Sequence, residues 1–470
     1  MPLDCKKRVF LQWMYFQECH DVLRGSPKKH SNLPTLPRVL ETRHYWFKTV
    51  LLICILGILV LREPKCITHP EFLAEDGGVM FAQQLVLGFP AIFQTYAQYL
   101  HVVPRLLALL TNAFPVSWAP LLYAIEAFVI AALCCWAFML EEFRPVLQSD
   151  ALRVILCLLS AIVFPAQEMV GVISDLQWFL TTVAVPLILV PAKPRPKTIR
   201  FLLLLLGLLI ALSAPLTIVL VPVIAIYGVR ERSITDFRVG ILAGTLIQWA
   251  VIAAHWTSRA GSLSGFAAVN GAVFATLVAF TNQIAMYCLL GKRVVDRVWH
   301  ETYKGVSLVL LLTLSCSQLW LYVRGGRQYR EKVRLILWLL FSSLLLAILR
   351  GTEPAYTEMS AVQLWGAHRY FFMGCWCFAF LFLTTIEDRT PGWPESKRCA
   401  LAVVPFLLGA IFNFTLAPHA ITNWQQYVPE IQAWQTDKSA SRAHVEVVIP
   451  ISPPGWTVHL PALQPASQQK

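Results

Sequence analysis

The stretch FLAEDGGVMFAQQL sets Glu75 and Asp76 side by side, with Gly77 and Gly78 behind them and an apolar segment following. Two adjacent carboxylates suit a general base, which takes a proton from a hydroxyl, or a site for a divalent cation. The glycines, lacking a Cβ, let another group approach that backbone closely. The same residues also suit the start of a helix, as an N-cap and a first-turn acid favoured by the helix dipole. Both readings stay open at this level.

Further along, QTYAQYLHVVPRLLALL places Tyr96, Tyr99, His101 and Arg105 in or just ahead of an apolar stretch. Such a set can grip a phosphate and a sugar; an arginine and aromatic rings at a membrane boundary can equally anchor the chain to lipid. HRYFFM repeats the theme with His368, Arg369 and Tyr370, and Arg350, Glu353 and Glu358 share its loop. Glu168, Asp175 and Gln177 fall at the ends of two apolar segments, and Glu126 stands in the middle of another, where a carboxylate is costly unless paired. The twelve cysteines are scattered, several inside apolar runs, and Cys375-x-Cys377 lacks the two-residue spacer of a redox or zinc pair. They read as packed thiols, and no metal-ligand spacing emerges.

The elements that position these residues follow from composition. With 57% hydrophobic and 14% charged residues, the chain has more apolar surface than soluble cores of this length bury. Long apolar runs between loops rich in Lys, Arg and Pro predict an all-α, polytopic transmembrane protein; period-two alternation, the mark of spanning strands, is missing. Sixteen Trp suit helix ends held at the lipid–water boundary. The net charge of +12 sits in loops, so it reports orientation rather than a nucleic-acid partner.

Residues 1–46 carry eight Lys or Arg against four acids and are expected in the cytoplasm. Residues 47–416 form the expected transmembrane domain. Its spans fall at 45–61, 117–140, 154–165, 171–190, 201–212, 216–229, 240–256, 308–323, 336–349, 371–385 and 400–416, about eleven in all by the positive-inside rule. The break at Ser213-Ala214-Pro215 divides 201–229 into two short segments, which keeps both flanking basic loops on one side. Residues 273–290 are then interfacial or re-entrant. Residues 62–116 form a long first outside loop, with interfacial helices over 79–87 and 100–114. Residues 417–470 are left as an outside polar tail.

In layout the chain resembles the bacterial polytopic glycosyltransferases of the GT-C fold. The resemblance lies in the acidic pair after the first span (AEDG), GFPAIFQTYAQYLHVVPRLLALL, SAPLTIVLVP at the hairpin, HRYFF before a late span, and the closing PPGWTVHL. It implies a multi-pass protein of the cytoplasmic membrane that moves a sugar from a polyprenyl-phosphate carrier to a cell-envelope glycan or lipid acceptor on the outer face. It also implies a catalytic carboxylate in the first outside loop, matched here by Asp76 or Glu75, and inversion at the anomeric carbon. Arg105, Arg369 and Arg350 would then stabilise the departing lipid phosphate, with Tyr99, His101 and Tyr370 around the substrate. The large outer domain of many relatives has no counterpart in the 417–470 tail. A transporter or flippase of lipid-linked saccharides is the rival reading, and a non-catalytic membrane scaffold a third. A transporter should show repeats or buried ionisable residues along a pathway; here the polar residues gather toward one face.

Overall fold

The computed structural model describes residues 36–164, 169–190, 193–255, 280–298, 313, 316–350, 368–414, 422–439 and 446–462. A division between Thr49 and Val50 separates two compact units, and the site lies wholly in the second. Helices of ten residues or more are α1 (Leu36–Arg62), α2 (Val102–Thr111), α3 (Ala119–Trp136), α4 (Asp150–Ile162), α5 (Leu176–Leu189) and α6 (Lys197–Ala211). They continue as α7 (Val221–Glu231), α8 (Asp236–Ala254), α9 (Arg327–Arg350), α10 (Phe372–Arg389), α11 (Glu395–Phe414) and α12 (Val428–Ser439). Among the described residues there are also shorter helical turns and two small antiparallel hairpins: β1 (Thr95–Tyr96) with β2 (Tyr99–Leu100), and β3 (Val447–Ile451) with β4 (Trp456–Leu460).

Four helical segments among the described residues are long and apolar enough to cross a bilayer: Val116–Met139, Asp236–Ala254, Arg369–Arg389 and Glu395–Phe414. A bent pair, Lys197–Ala211 with Pro215–Glu231, makes a fifth if it counts as one span. The outward faces confirm the solvent these helices want. Leu246 on α8 is 72% exposed and Val404 on α11 is 65% exposed, within apolar faces that water would not tolerate. The chain is thus a mainly helical membrane protein. At 13 and 14 residues, α4 and α5 reach only about 20 Å at 1.5 Å per residue, short of a slab of about 30 Å. Of the expected span at 308–323, residues 308–312, 314 and 315 lie outside the described residues, as do residues 273–279 of the segment 273–290, whose remainder is a π-type turn over Phe280–Met286 and a short helix over Tyr287–Leu290.

The bend in the α6–α7 pair is 117°, and it falls where Ser213-Ala214-Pro215 predicts a break. Pro215 supplies no N–H to continue the ladder. Ser213, fully buried, donates to the Leu209 carbonyl at 2.8 Å and accepts the Val103 N–H at 2.8 Å, so the break also seats the start of α2. α6 and α8 pack closely along their length because Gly240 leaves no Cβ to meet the Leu204 carbonyl, the small-residue contact common between membrane helices. Helix starts are capped where the sequence offers it: the Ser149 and Thr235 hydroxyls accept N–H groups of Leu152 and Arg238. The core is formed chiefly by α3, α4, α5 and α10; every residue of α5 from Leu176 to Ile188 is buried.

Three expectations change. α1 begins at Leu36 rather than near residue 45, with Pro37 in its first turn, where a fixed φ and a missing N–H cost little. The first helical part of the loop is packed into the protein: Asp76–Phe81 is a wide π-type turn running into a helix over Ala82–Leu87, and Met80, Phe81 and Leu85 are buried, whereas Leu106 and Leu110 of the second helix leave an apolar outer face. Leu100 belongs to a β-hairpin, and the second helix of the loop starts only at Val102. Finally, the C-terminal segment is folded, not a free polar tail. Its hairpin docks on the first loop through a bridge of Leu73 to Ser452, with the Ala74 N–H on the Ser452 carbonyl at 2.6 Å. Trp424 stacks edge-on against Phe72 and Phe81 at 4.7 and 5.5 Å, and Glu71 accepts from the Trp424 N–H and the Thr422 hydroxyl.

Candidate functional site

The two carboxylates of the pair have different surroundings. Asp76 opens the π-type turn, 2% exposed, and its two oxygens accept the backbone N–H groups of Ile173 and Ser174, each at 2.9 Å. Burial pushes its carboxyl up to about 7, against the pull of those two donors and with the Glu75 charge adding to the rise. It is a clamp between the first loop and the turn that leads into α5. Glu75 does stand at the N-cap position of this turn and Asp76 is its first-turn acid, but Glu75 makes no side-chain cap hydrogen bond, and Asp76 spends its oxygens on the Ile173 and Ser174 N–H groups.

Glu75 is turned to a different set of groups. The Tyr96 hydroxyl donates to its Oε1 at 3.4 Å, and Arg369 Nη2 lies 3.3 Å from the same oxygen. The other terminal nitrogen of Arg369 stands 3.7 Å from Asp175, whose second oxygen contact is the Trp178 indole N–H at 3.2 Å. One guanidinium thus bridges two carboxylates contributed by segments a hundred residues apart. Arg369 also lies over the Tyr370 ring at 5.5 Å, and Tyr370 meets Trp178 edge-on at 5.5 Å. Burial and the Glu75 charge push the Tyr96 hydroxyl up to about 12, which keeps it a donor at neutral pH.

The β1–β2 hairpin supplies the third side. Tyr99 donates to Gln177 at 3.2 Å and stacks on His101 at 4.2 Å, with Tyr96 5.8 Å from the same imidazole. The hairpin is held from outside by Gln248 of α8, fully buried, whose side-chain amide accepts the Leu100 N–H at 3.0 Å and donates to the Leu100 carbonyl at 2.9 Å. A side chain here does what a neighbouring strand would do. Sequence reasoning passed over Gln248; the available signal was a glutamine in the middle of an apolar span, which needs partners there.

Arg105 points inward from α2, 1% exposed, while Leu106 and Leu110 face outward. Its Nη2 donates to Gln83 at 2.8 Å, and its Nε and Nη1 have no partner among the described residues. The Gln84 amide and the Tyr123 hydroxyl are likewise buried without partners, as is one oxygen of Glu126, whose other oxygen accepts from Thr111 at 3.1 Å. Tyr123 feels the charges of Asp76, Glu126 and Arg105 together, so this polar group adjoins the first. Inward orientation removes the lipid-anchor reading of Arg105.

Gly77 and Gly78 do admit a close neighbour, and it is the chain's own C-terminal hairpin. A Cβ on Gly77 would lie 2.7 Å from Ile451 Cδ1, and one on Gly78 would lie 2.9 Å from the Thr457 carbonyl oxygen. No family model, curated protein or solved structure matches this chain.

Sequence-predicted residues therefore converge: Glu75, Tyr96, Tyr99, His101, Asp175, Gln177, Arg369 and Tyr370 form one connected group, with Asp76 behind it. Arg350 ends α9, but its side chain and that of His368, together with Glu168, Glu353 and Glu358, lie outside the described residues. Among the described residues no three His, Cys, Asp or Glu side chains come together as a ligand set for a metal. At Glu75 the counter-charge is the Arg369 guanidinium, and at Asp76 the oxygens face N–H donors. The divalent-cation reading of the pair is thereby left without a coordination shell in this arrangement.

Proposed function

We propose that the protein is a membrane glycosyltransferase that moves a sugar from a polyprenyl-phosphate carrier to a cell-envelope glycan or lipid acceptor, in the manner of the GT-C enzymes it resembles. The supporting observation is the meeting of Glu75 with Arg369, 294 positions apart in the chain, inside a ring of Tyr96, Tyr99, His101, Asp175 and Trp178. Glu75 is the general base: it accepts the acceptor hydroxyl's proton as that oxygen attacks the anomeric carbon. The carbon–phosphate oxygen bond breaks on the opposite face, so configuration inverts, and the electron pair leaves with the lipid phosphate. Arg369 and the unpartnered nitrogens of Arg105 stabilise that leaving phosphate, because a guanidinium presents a planar fork to phosphate oxygens. Asp76 holds the turn bearing Asp175, and so positions the base's surroundings.

The topology that goes with this reading puts the first loop and the C-terminal hairpin on the outer face and the basic loops 193–200 and 324–334 in the cytoplasm. The rival flippase or transporter reading draws on Glu126, half-buried on α3 with one oxygen unpartnered. Mass spectrometry of cell-envelope glycans from a deletion strain, complemented with wild type or with Glu75→Gln at matched membrane levels, decides between them. Loss of one sugar from the glycan in both the deletion and the Glu75→Gln strain supports transfer. Full modification by Glu75→Gln, with accumulation of an intact lipid-linked saccharide in the deletion strain, refutes it in favour of transport.

A further inference from the structure

The far end of α5 from the Glu75 group carries a second site. Fourteen residues of helix, about 20 Å, separate Asp175 at one end from Val190 at the other. Beside Val190 lies a cavity of about 360 Å³, walled by Leu187, Val190, Leu203 and Phe237 and rimmed by Lys193, Arg195 and Arg200. Its one carboxylate, Asp236, is engaged by Arg200 through contacts of 3.0 to 3.2 Å. The remaining charge of the rim is positive. Two helices, α6 and α8, begin at this cavity, and the positive ends of their dipoles add to its attraction for an anion.

We propose that this cavity binds the phosphate head group of an anionic phospholipid. Charge alone would suit any phosphate; the apolar surroundings select a lipid. Leu187, Leu203, Ile234 and Phe237 line the pocket; Ile234 is 52% exposed, and Phe201, next to Arg200 in the chain, is 61% exposed. A head group seated on Lys193 and Arg195 can lay its acyl chains along that surface, as basic pockets between membrane helices do. The proposal draws on none of the transfer chemistry, and its failure would leave that chemistry untouched.

The test is native mass spectrometry of the purified full chain, titrated with phosphatidylglycerol, phosphatidylcholine or glycerol phosphate. Wild type should retain phosphatidylglycerol in preference to phosphatidylcholine. The double change Lys193→Gln and Arg195→Gln should weaken that retention about thirtyfold, roughly fivefold for each cation at an anionic surface. The control Lys397→Gln with Arg398→Gln, at the start of α11, should leave it within twofold. Equal weakening by both doubles would reduce the effect to diffuse charge, and equal retention of the two lipids would remove the site. Displacement of the lipid by glycerol phosphate at equal concentration would make it a site for free phosphate. Each of these three results overturns the proposal.

Discussion

Asp76 makes the stability of the folded chain depend on pH. Its carboxyl is 2% exposed and rises from 3.8 to about 7 because burial penalises the charge more than the Ile173 and Ser174 N–H groups favour it. In the unfolded chain the group ionises near 3.8, so between there and about 7 the folded form alone holds the proton. The folded state therefore gains from Asp76 at acid pH and loses that gain as pH rises through about 7. The slope is about 1.4 kcal/mol per pH unit, and the loss between pH 5 and 7.5 is on the order of 3 kcal/mol. Asp76→Asn removes the titration. Asparagine still offers one carbonyl oxygen to one N–H but turns an amide toward the other, a cost of about 1–3 kcal/mol that does not change with pH. Thermal unfolding of the detergent-solubilised protein, followed by tryptophan fluorescence from pH 5 to 8, measures both. The stability difference, wild type minus variant, should fall from pH 5 to about 7 and level off above about 7.5, where both states are ionised. A difference constant with pH, whatever its size, would refute the account of a carboxyl held up by burial.

Glu75→Gln should keep the thermal midpoint close to wild type, because the amide oxygen can still accept from Tyr96, while glycan modification falls about a hundred to ten thousandfold; activity within a few fold would end the general-base role. Arg369→Lys and Arg105→Lys should each weaken binding of a polyprenyl-phosphate analogue, read by isothermal titration, since an ammonium cannot copy the fork; unchanged affinity in both would count against phosphate contact. Gln248→Leu should strand the Leu100 N–H and carbonyl in a buried setting, costing about 1–3 kcal/mol for each group, visible as a lower thermal midpoint. Gly78→Val should push β4 off the first loop through the Thr457 carbonyl, and limited proteolysis near residue 446 should then speed up by an order of magnitude or more, provided the local opening free energy falls by about 1.4 kcal/mol. Cysteines placed at Phe93, 65% exposed, and at Arg195 should react with an impermeant thiol reagent from opposite sides of intact cells; labelling of both from outside would overturn the charge-based orientation.

The class of fold was written in composition and in local rules. Lipid demands that backbone groups bond within their own segment, so long apolar runs without alternation leave only helices. Pro215 ends a helix wherever it is put, and the 117° bend is found where Ser213-Ala214-Pro215 stands. Residue types at the site were legible for a similar reason: Glu75, Tyr96, Tyr99, Asp175 and Arg369 are polar groups at the margins of apolar segments, where retaining them costs free energy. What a linear chain cannot state is which of them meet. Adjacent Glu75 and Asp76 looked interchangeable, yet a helical turn points successive side chains about 100° apart, so one faces Arg369 and the other faces the Ile173–Ser174 backbone. The glycines announced a close approach without naming the partner, which proved to be a hairpin more than 370 residues later. That hairpin itself read as a polar tail because β3 and β4 bury only Ile449, Ile451, Val458 and Leu460, too few apolar residues to signal a packed element. Their partner surface is Phe72, Gly77 and Gly78, and only the tertiary structure brings it to them.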